Sequence, residues 1–279
     1  MQLGRVGIWN HELARTDPSE QALFGEAVAE LDELGYGTIW IGGSPGVDRA
    51  AKVLADTRQI TVATGILNIW WHEPADVAAQ TAALAAEHPG RFVLGLGASH
   101  KKLVNDYRKP LSYMREYLDG LDAAGQPAAE RVLAALGPKM LELSRDRAAG
   151  AHPYLVTPEH TARARATLGD AVLAPELKVV LDTDPETARA TAREHLAIYF
   201  QLANYLNSLR TLGFTDEDFA EGGSDRLVDS TVAWGDENVV ADRLRQHFDA
   251  GADHVCLQVL GASLPREQWR RLAPLTSVQ

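Results

Sequence analysis

Three histidines follow closely on apolar runs of the sequence, at places where short buried strands are expected to end. His11 and His100 come directly after such runs, and His72 stands behind Trp70-Trp71. A histidine can exchange a proton near neutral pH, so these three are the candidate catalytic residues, as proton donors or substrate-orienting groups. The two tryptophans beside His72 predict a pocket wall for a flat or apolar substrate.

The same strand ends carry few carboxylates, which argues against two classes of hydrolase. A glycosidase needs two inward carboxylates, and a metal hydrolase needs clustered histidine and aspartate ligands. Asn10-His11 has no second histidine at short spacing, and no metal site is predicted. The single cysteine, Cys256, excludes an internal disulfide and a multi-cysteine zinc site, and is expected to be a buried core residue. The strand ends instead suit a bulky organic cofactor held by backbone groups.

The elements that must position these residues form an alternating pattern of short apolar runs and longer helical segments. The runs that predict strands are at residues 3–9, 38–42, 60–66, 92–97, 132–136, 153–156, 177–181 and 253–259. Eight strands alternating with eight helices imply a parallel sheet, and a closed eight-fold barrel needs about 250 residues. The pattern therefore predicts an α/β protein, a single (β/α)8 TIM barrel. Residues 1–279 are expected to form one domain, with an excursion at about 213–235.

Composition and charge limit the partners. The formal net charge of −11 argues against a nucleic-acid-binding surface and against an anionic membrane surface. The sequence shows no signal peptide and no apolar run of the roughly 18–20 residues that would cross a bilayer. We therefore expect a cytoplasmic protein that acts on a small-molecule substrate.

Four segments carry a family resemblance that covers most of the chain. The most specific is a helix stop followed by a glycine-rich strand end, HPGRFVLGLG at residues 88–97, and the others are LGYGTIWI at 34–41, ATGIL at 63–67 and AALGP at 134–138. Together they resemble the bacterial luciferase-like oxidoreductase superfamily, and within it an actinobacterial subgroup that depends on coenzyme F420. The resemblance implies a barrel that binds the deazaflavin F420, or alternatively FMN, and transfers a hydride to or from an organic substrate. It also suggests a homodimer.

The resemblance further implies where the cofactor binds. Gly65-Ile66 matches a pair joined by a non-prolyl cis peptide in a bulge behind the cofactor ring. Small residues before a helix start are expected to hold the cofactor phosphate through backbone N–H groups. Three lysines, Lys101, Lys102 and Lys139, are candidates for the acidic tail of F420. The predicted cofactor-binding residues are Gly65, Ile66, Asn68, Gly97, Ala98, Ser99, Ala134, Ala135, Leu136, Gly137 and Tyr154.

The chain also departs from the best-known deazaflavin dehydrogenases. They have an acidic residue and a histidine after the second strand, where this chain has Gly42-Gly43-Ser44, and often a glutamate where it has His100. A sugar-phosphate dehydrogenase activity is therefore not implied. An FMN-dependent luciferase-like monooxygenase and a non-catalytic flavin-binding or carrier protein stay open as alternatives.

Overall fold

In the described part of the chain, eleven strands form one parallel sheet. The computed structural model describes residues 1–15, 17, 19–99, 104 and 108–277. The strands pair in the order β10-β9-β11-β1-β2-β3-β5-β6-β7-β8, with β4 paired to β5. Their bounds are β1 Val6–Asn10, β2 Thr38–Ile41, β3 Thr61–Thr64, β4 Leu67–Asn68, β5 Phe92–Gly97, β6 Arg131–Leu133, β7 Gly150–Ala151, β8 Val172–Leu173, β9 Glu176–Val180, β10 Val232–Trp234 and β11 Val255–Val259.

Helices follow the strands and cover the outer face of the sheet. Several begin at a proline in the first turn. Proline has no backbone N–H, and an N–H at this position would make no hydrogen bond within the helix. The helices are α1 Gln21–Glu33, α2 Val47–Ala55, α3 Pro74–Glu87, α4 Pro110–Ala123, α5 Pro138–Arg147, α6 Pro158–Leu168, α7 Pro185–Leu196, α8 Ala203–Thr211, α9 Asp225–Thr231, α10 Glu237–Asp249 and α11 Arg266–Leu272.

One bent segment, residues 172–180, closes the sheet into a ring. Its first part, β8, pairs with β7, and its second part, β9, pairs with β11, which pairs in turn with β1. Backbone bonds continue across the bend: the N–H of Glu176 donates to Pro153 O at 2.9 Å, and the N–H of Cys256 donates to Pro175 O at 3.0 Å. The strands β8 and β9 thus make up one strand of the barrel, and β3 and β4 make up another. The fold is the predicted (β/α)8 barrel.

Two sequence predictions about elements are wrong. The sixth strand is Gly150–Ala151 rather than 153–156, because Pro153 has no N–H to donate to a ladder. The helical pattern of residues 185–212 in the sequence predicts one continuous helix, but extended backbone at Leu202 divides this segment into α7 and α8. The excursion at 213–235 contains a 3-10 helix, Asp216–Gly222, followed by α9 and β10.

The barrel interior is filled by large side chains from its strands. Trp40 and Cys256 are fully buried there, beside Trp9. Cys256 is thus the buried core residue that the sequence predicts, and its burial raises the pKa of the thiol. In the described chain, no helix has both the length and the hydropathy that crossing a membrane requires.

Candidate functional site

A cleft of about 760 Å³ opens at the carboxyl ends of the barrel strands. Active sites of this fold lie at that end, built from the loops that follow the strands. The lining residues come from four strand ends, from the first turns of α4 and α5, and from the start of α8 with the two residues before it: Ile66, Gly97, Ala98, Ser99, Pro110, Ala134, Ala135, Leu136, Gly137, Met140, His152, Tyr154, Gln201, Leu202, Ala203, Asn204 and Tyr205. A smaller cavity of about 430 Å³, at the opposite end of the barrel, includes Gln59, Arg91 and Gln126.

A bulge between β3 and β4 forms one side of the cleft. The Gly65–Ile66 peptide is cis, which confirms the prediction from the resemblance. The N–H of Gly65 donates to Ile41 O at 2.7 Å, and Trp9 Nε1 donates to Gly65 O at 3.0 Å. A Cβ at position 65 would lie 2.8 Å from Trp9 Nε1, so only glycine fits against the tryptophan.

Gly97, at the end of β5, makes room for a side chain of this bulge. A Cβ at position 97 would lie 2.3 Å from Ile66 Cδ1. The space beside Gly97 is therefore taken by Ile66. The surface that the cleft presents here is therefore the Ile66 side chain. Asn68 lies behind that surface: it is buried, its Oδ1 accepts from the N–H of Trp70 at 3.2 Å, and its Nδ2 has no partner among the described residues.

The turn from Ala134 to Gly137 forms the far end of the cleft. Gly137 is the N-cap of α5, and a Cβ added there would meet nothing within 4 Å. His160 Nε2 bonds to Leu136 O at 2.9 Å and fixes the turn against α6. A helix start leaves backbone N–H groups free and carries a positive partial charge. The turn is therefore an open recess that suits an anionic group.

His152, one of the residues that line the cleft, has an uncharged ring with an unpartnered acceptor. Its Nδ1 lies 2.7 Å from Ala174 O and must carry the proton, since a carbonyl only accepts. The ring stacks on Trp40 at 4.1 Å between centroids. Burial lowers the pKa of His152 to about 4, so the imidazole is neutral at pH 7. Its Nε2 is buried and has no partner in the described chain, so it is an acceptor whose lone pair is unused.

A buried ion pair lies inside the barrel below the cleft, and the sequence analysis missed it. Lys178 Nζ is 3.0 Å from both carboxylate oxygens of Glu176, and neither side chain is exposed to solvent. Gln258 Oε1 accepts from Lys178 at 3.3 Å and from the Tyr154 hydroxyl at 2.6 Å. The Tyr154 hydroxyl also lies 2.7 Å from the hydroxyl of Tyr199. The sequence does contain a signal for this pair: Glu176 and Lys178 are two charged residues, two positions apart, in an apolar run. That spacing places both side chains on one face of a strand.

The predicted catalytic histidines do not line this cleft, as far as the structure describes them. The His11 side chain is 58% exposed, with Nε2 at 2.7 Å from a Glu12 oxygen. His72 is half-buried in the loop before α3. His100, together with Lys101 and Lys102, lies outside the described residues, and Lys139 is exposed on the first turn of α5.

The two tryptophans near His72 differ in their surroundings. Trp70 stacks on Tyr113 at 4.0 Å between centroids and donates from Nε1 to Ala98 O at 2.5 Å. Trp71 is 58% exposed. Trp70 is therefore held next to the predicted cofactor-binding residue Ala98, although neither tryptophan is among the described residues that line the cleft. Among the side chains that the structure describes, no three His, Cys, Asp or Glu residues are grouped to hold a metal ion.

The sequence profile of the family described as luciferase-like monooxygenase matches residues 5–254. The chain belongs to this family. Membership makes it an oxidoreductase, in agreement with the resemblance seen in the sequence. A relative from Mycobacterium tuberculosis (strain ATCC 25618 / H37Rv), provisionally named coenzyme F420-dependent oxidoreductase Rv3520c, is 25% identical over 355 residues. The match covers 99% of each chain.

Solved structures with the same fold include both deazaflavin and flavin enzymes. An F420-dependent secondary alcohol dehydrogenase, in complex with an F420-acetone adduct, matches with a TM-score of 0.75 at 12% identity, over 98% of this chain and 99% of that one. The FMN-bound oxygenating constituent of 3,6-diketocamphane monooxygenase from Pseudomonas putida matches with a TM-score of 0.74 at 13% identity, over 99% and 97%. At these identities the matches show the fold alone.

Proposed function

We propose that the protein is an F420-dependent oxidoreductase that transfers a hydride between the deazaflavin and a small organic substrate. The observation that carries the proposal is the cleft at the strand ends, bounded by the Ile66 bulge on one side and by the open Gly137 recess at a helix start on the other. The F420 named in the M. tuberculosis relative supports the same cofactor.

The residues present fit such a cofactor at two places. An apolar wall at Ile66 suits one face of a flat ring, and the neutral Nε2 of His152 suits a ring N–H or a hydroxyl of the side chain. The Gly137 recess suits the phosphate, because the N–H groups of a helix start bind anions.

When bound, the deazaflavin would supply or accept the hydride, and the chain's own residues would orient the reactants and exclude water. The apolar and aromatic lining of the cleft would exclude water from the bound reactants. His11, His72 and His100 stay proposed proton donors or orienting groups for the substrate. The single domain over residues 1–279, the homodimer and the cytoplasmic location likewise stay predictions.

A flavin monooxygenase is the second candidate, and one observation favours it. None of the described residues that line the cleft carries a charged side chain. The acidic tail of F420 needs cations, whereas FMN ends at its phosphate and needs only the helix-start recess. Lys139 is the described candidate cation near that recess, and the other two proposed lysines lie outside the described residues.

Side-by-side titration of F420 and FMN tests the proposal. We expect F420 to bind more tightly than FMN. In Gly137→Leu the new side chain would fill the recess, so we expect affinity to fall at least about tenfold, which corresponds to about 1.4 kcal/mol. The melting temperature should fall by no more than a few degrees, because a Cβ at position 137 has open space and the main cost is a weaker N-cap for α5.

The control is Ala83→Leu, on the exposed outer face of α3, which should alter neither affinity nor melting temperature. Tighter binding of FMN than of F420 would support the monooxygenase. Binding of neither cofactor, or an unchanged affinity in folded Gly137→Leu, would refute the proposed site.

A further inference from the structure

The hydrogen bonds around the buried ion pair fix the direction in which each donor points. A lysine ammonium carries only donors, so the Gln258 atom that faces Lys178 is the acceptor Oε1 rather than the amide nitrogen. The same Oε1 lies 2.6 Å from the Tyr154 hydroxyl, which must therefore donate its single proton to it. Gln258 thus ties the orientation of Tyr154 to the ion pair.

This assignment determines the proton of Tyr199. The Tyr154 proton is committed to Gln258, so in the 2.7 Å contact between the two tyrosines Tyr199 is the donor. Burial raises the pKa of both phenols, which keeps both protonated. The Tyr199 oxygen is left with a lone pair that no described donor contacts, and its hydroxyl is an acceptor toward any bound molecule.

The ion pair also holds the backbone that carries Tyr154. Glu176 Oε2 accepts from the N–H of Leu155 at 3.1 Å. Leu155 has a φ of 55°, a left-handed backbone conformation that residues other than glycine rarely adopt. Lys178 Nζ lies 3.7 Å from the centre of the Tyr154 ring. The pair therefore constrains the loop, the ring and the hydroxyl of Tyr154 together.

His195 lies beside the ring of Tyr199 and has a ring nitrogen without a described partner. The two ring centroids are 5.4 Å apart, and His195 Nε2 is a buried atom without a partner in the described chain. Burial lowers the pKa of His195 to about 3, and the positive charge of Lys178 lowers it further. Its imidazole is neutral, so Nε2 is free to be donor or acceptor according to the tautomer.

The polar corner formed by Tyr199 and His195 carries no net charge, because Glu176 compensates Lys178. It offers one acceptor and one adaptable nitrogen. A hydroxyl group matches both, since it donates to the Tyr199 oxygen and accepts from His195 Nε2–H. A carboxylate or phosphate has no proton for the Tyr199 lone pair and no cation to meet its charge.

We propose that Tyr199 and His195 bind the hydroxyl group of a neutral organic substrate. Glu176, Lys178 and Gln258 are positioning residues, which act through Tyr154 to keep Tyr199 in its accepting orientation. The inference rests on the proposed function only in taking this hydroxyl-bearing molecule as the substrate. The corner adjoins the cleft through two of its lining residues, because the Tyr199 ring lies 5.4 Å from that of Tyr154 and 5.2 Å from that of Tyr205.

Binding of two probes of the same shape tests the corner without any cofactor. Protein labelled with ¹⁵N-histidine is titrated with cyclohexanol and with cyclohexanecarboxylate, and the His195 signal is assigned by its loss in His195→Gln. We expect cyclohexanol to shift that signal along a saturating curve, and the carboxylate not to. Tyr199→Phe should weaken cyclohexanol binding about threefold to tenfold, the effect of losing one neutral hydrogen bond.

Tyr117→Phe is the matched control, since it also removes a buried tyrosine hydroxyl, one that has no described partner, on α4. It should leave cyclohexanol affinity unchanged. Absence of cyclohexanol binding, equally tight binding of the carboxylate, or an unchanged affinity in Tyr199→Phe would each overturn the proposal.

A double-mutant cycle tests the positioning role of Gln258. Gln258→Leu alone should weaken cyclohexanol binding, because Tyr154 and Tyr199 lose their fixed direction. In a Tyr199→Phe background the same change should have no further effect, which general loss of structure would not reproduce. Additive losses would overturn the positioning role, and thermal unfolding confirms that each variant is folded.

F420 titration of the same samples separates this inference from the proposed function. Cyclohexanol binding without F420 binding would refute the proposed function and leave the corner standing. F420 binding without cyclohexanol binding would refute the corner alone.

Discussion

His254 makes the stability of the barrel dependent on pH. Its ring is fully buried, with Nδ1 at 2.9 Å from Gly4 O and Nε2 at 3.0 Å from Trp40 Nε1. Gly4 O and Trp40 Nε1–H fix one neutral tautomer, in which Nδ1 donates and Nε2 accepts. A second proton on Nε2 would face the indole N–H, and burial already lowers the pKa of His254 from 6.5 to about 4.

The magnitude follows from proton linkage. Between pH 6.5 and 4 the unfolded chain binds a proton at His254 that the folded chain does not, so stability is highest above pH 6.5 and falls as the pH drops. At about 1.4 kcal/mol for each pKa unit, the loss between pH 7 and pH 5 is about 2 kcal/mol from this one residue.

The test is His254→Gln, which keeps an acceptor for Trp40 and removes the titration. We expect the variant to be less stable than wild type by about 1 kcal/mol at pH 7, because it loses the bond to Gly4 O. Between pH 7 and pH 5 it should lose about 2 kcal/mol less than wild type, so the two stabilities should cross. Urea unfolding at pH 7, 6 and 5 measures this.

The control is His88→Gln, in the partly exposed turn after α3, whose stability should run parallel to that of wild type. Other buried histidines add to the acid sensitivity of the whole protein, but they are present in both proteins and cancel in the difference. Parallel stability curves for wild type and His254→Gln would refute the reasoning.

Three further substitutions have defined outcomes. Gly97→Val would place its Cβ 2.3 Å from Ile66 Cδ1, and should lower the melting temperature and the cofactor affinity together; a drop in affinity alone would contradict the packing role. Arg131→Met removes a fully buried guanidinium that bonds Asp122 at 2.6 Å, and urea unfolding should show a loss of about 2 kcal/mol. Gly7→Ala would put a Cβ 2.5 Å from a carbonyl oxygen of β2, and should cost about 1–3 kcal/mol in the same assay, with no loss refuting the contact.

Local signals in the sequence were enough for the architecture of the barrel. The apolar runs at β1, β2, β5 and β11 and the prolines that begin many helices predict the alternation of elements. The sixth strand was misplaced because the tyrosine and aliphatic run after Pro153 has the composition of a strand, while the short Gly150–Ala151 strand does not. Helix α7 was extended too far because residues 197–202 have ordinary helical composition, and packing decides where that helix ends.

The candidate site was only partly predictable. The cis peptide and the recess at Gly137 each lie within one short, continuous segment of the sequence. The family resemblance rests on four such segments, so it could predict both features. The polar corner depends on Gln258 and Lys178, which are 80 residues apart and meet only when β9 pairs with β11. No local pattern indicates that meeting.

The buried position of Cys256 makes this residue a built-in reporter of barrel opening. Its sulfur lies in β11 against Pro175, in the bend that closes the ring, and the chain has no other cysteine. A thiol reagent reaches that sulfur only when β11 separates from the segment at 172–180, since the residue is fully buried in the closed barrel. The rate at which a thiol reagent labels the unmodified protein therefore measures how often β11 separates from residues 172–180. A tightly bound cofactor should slow this labelling.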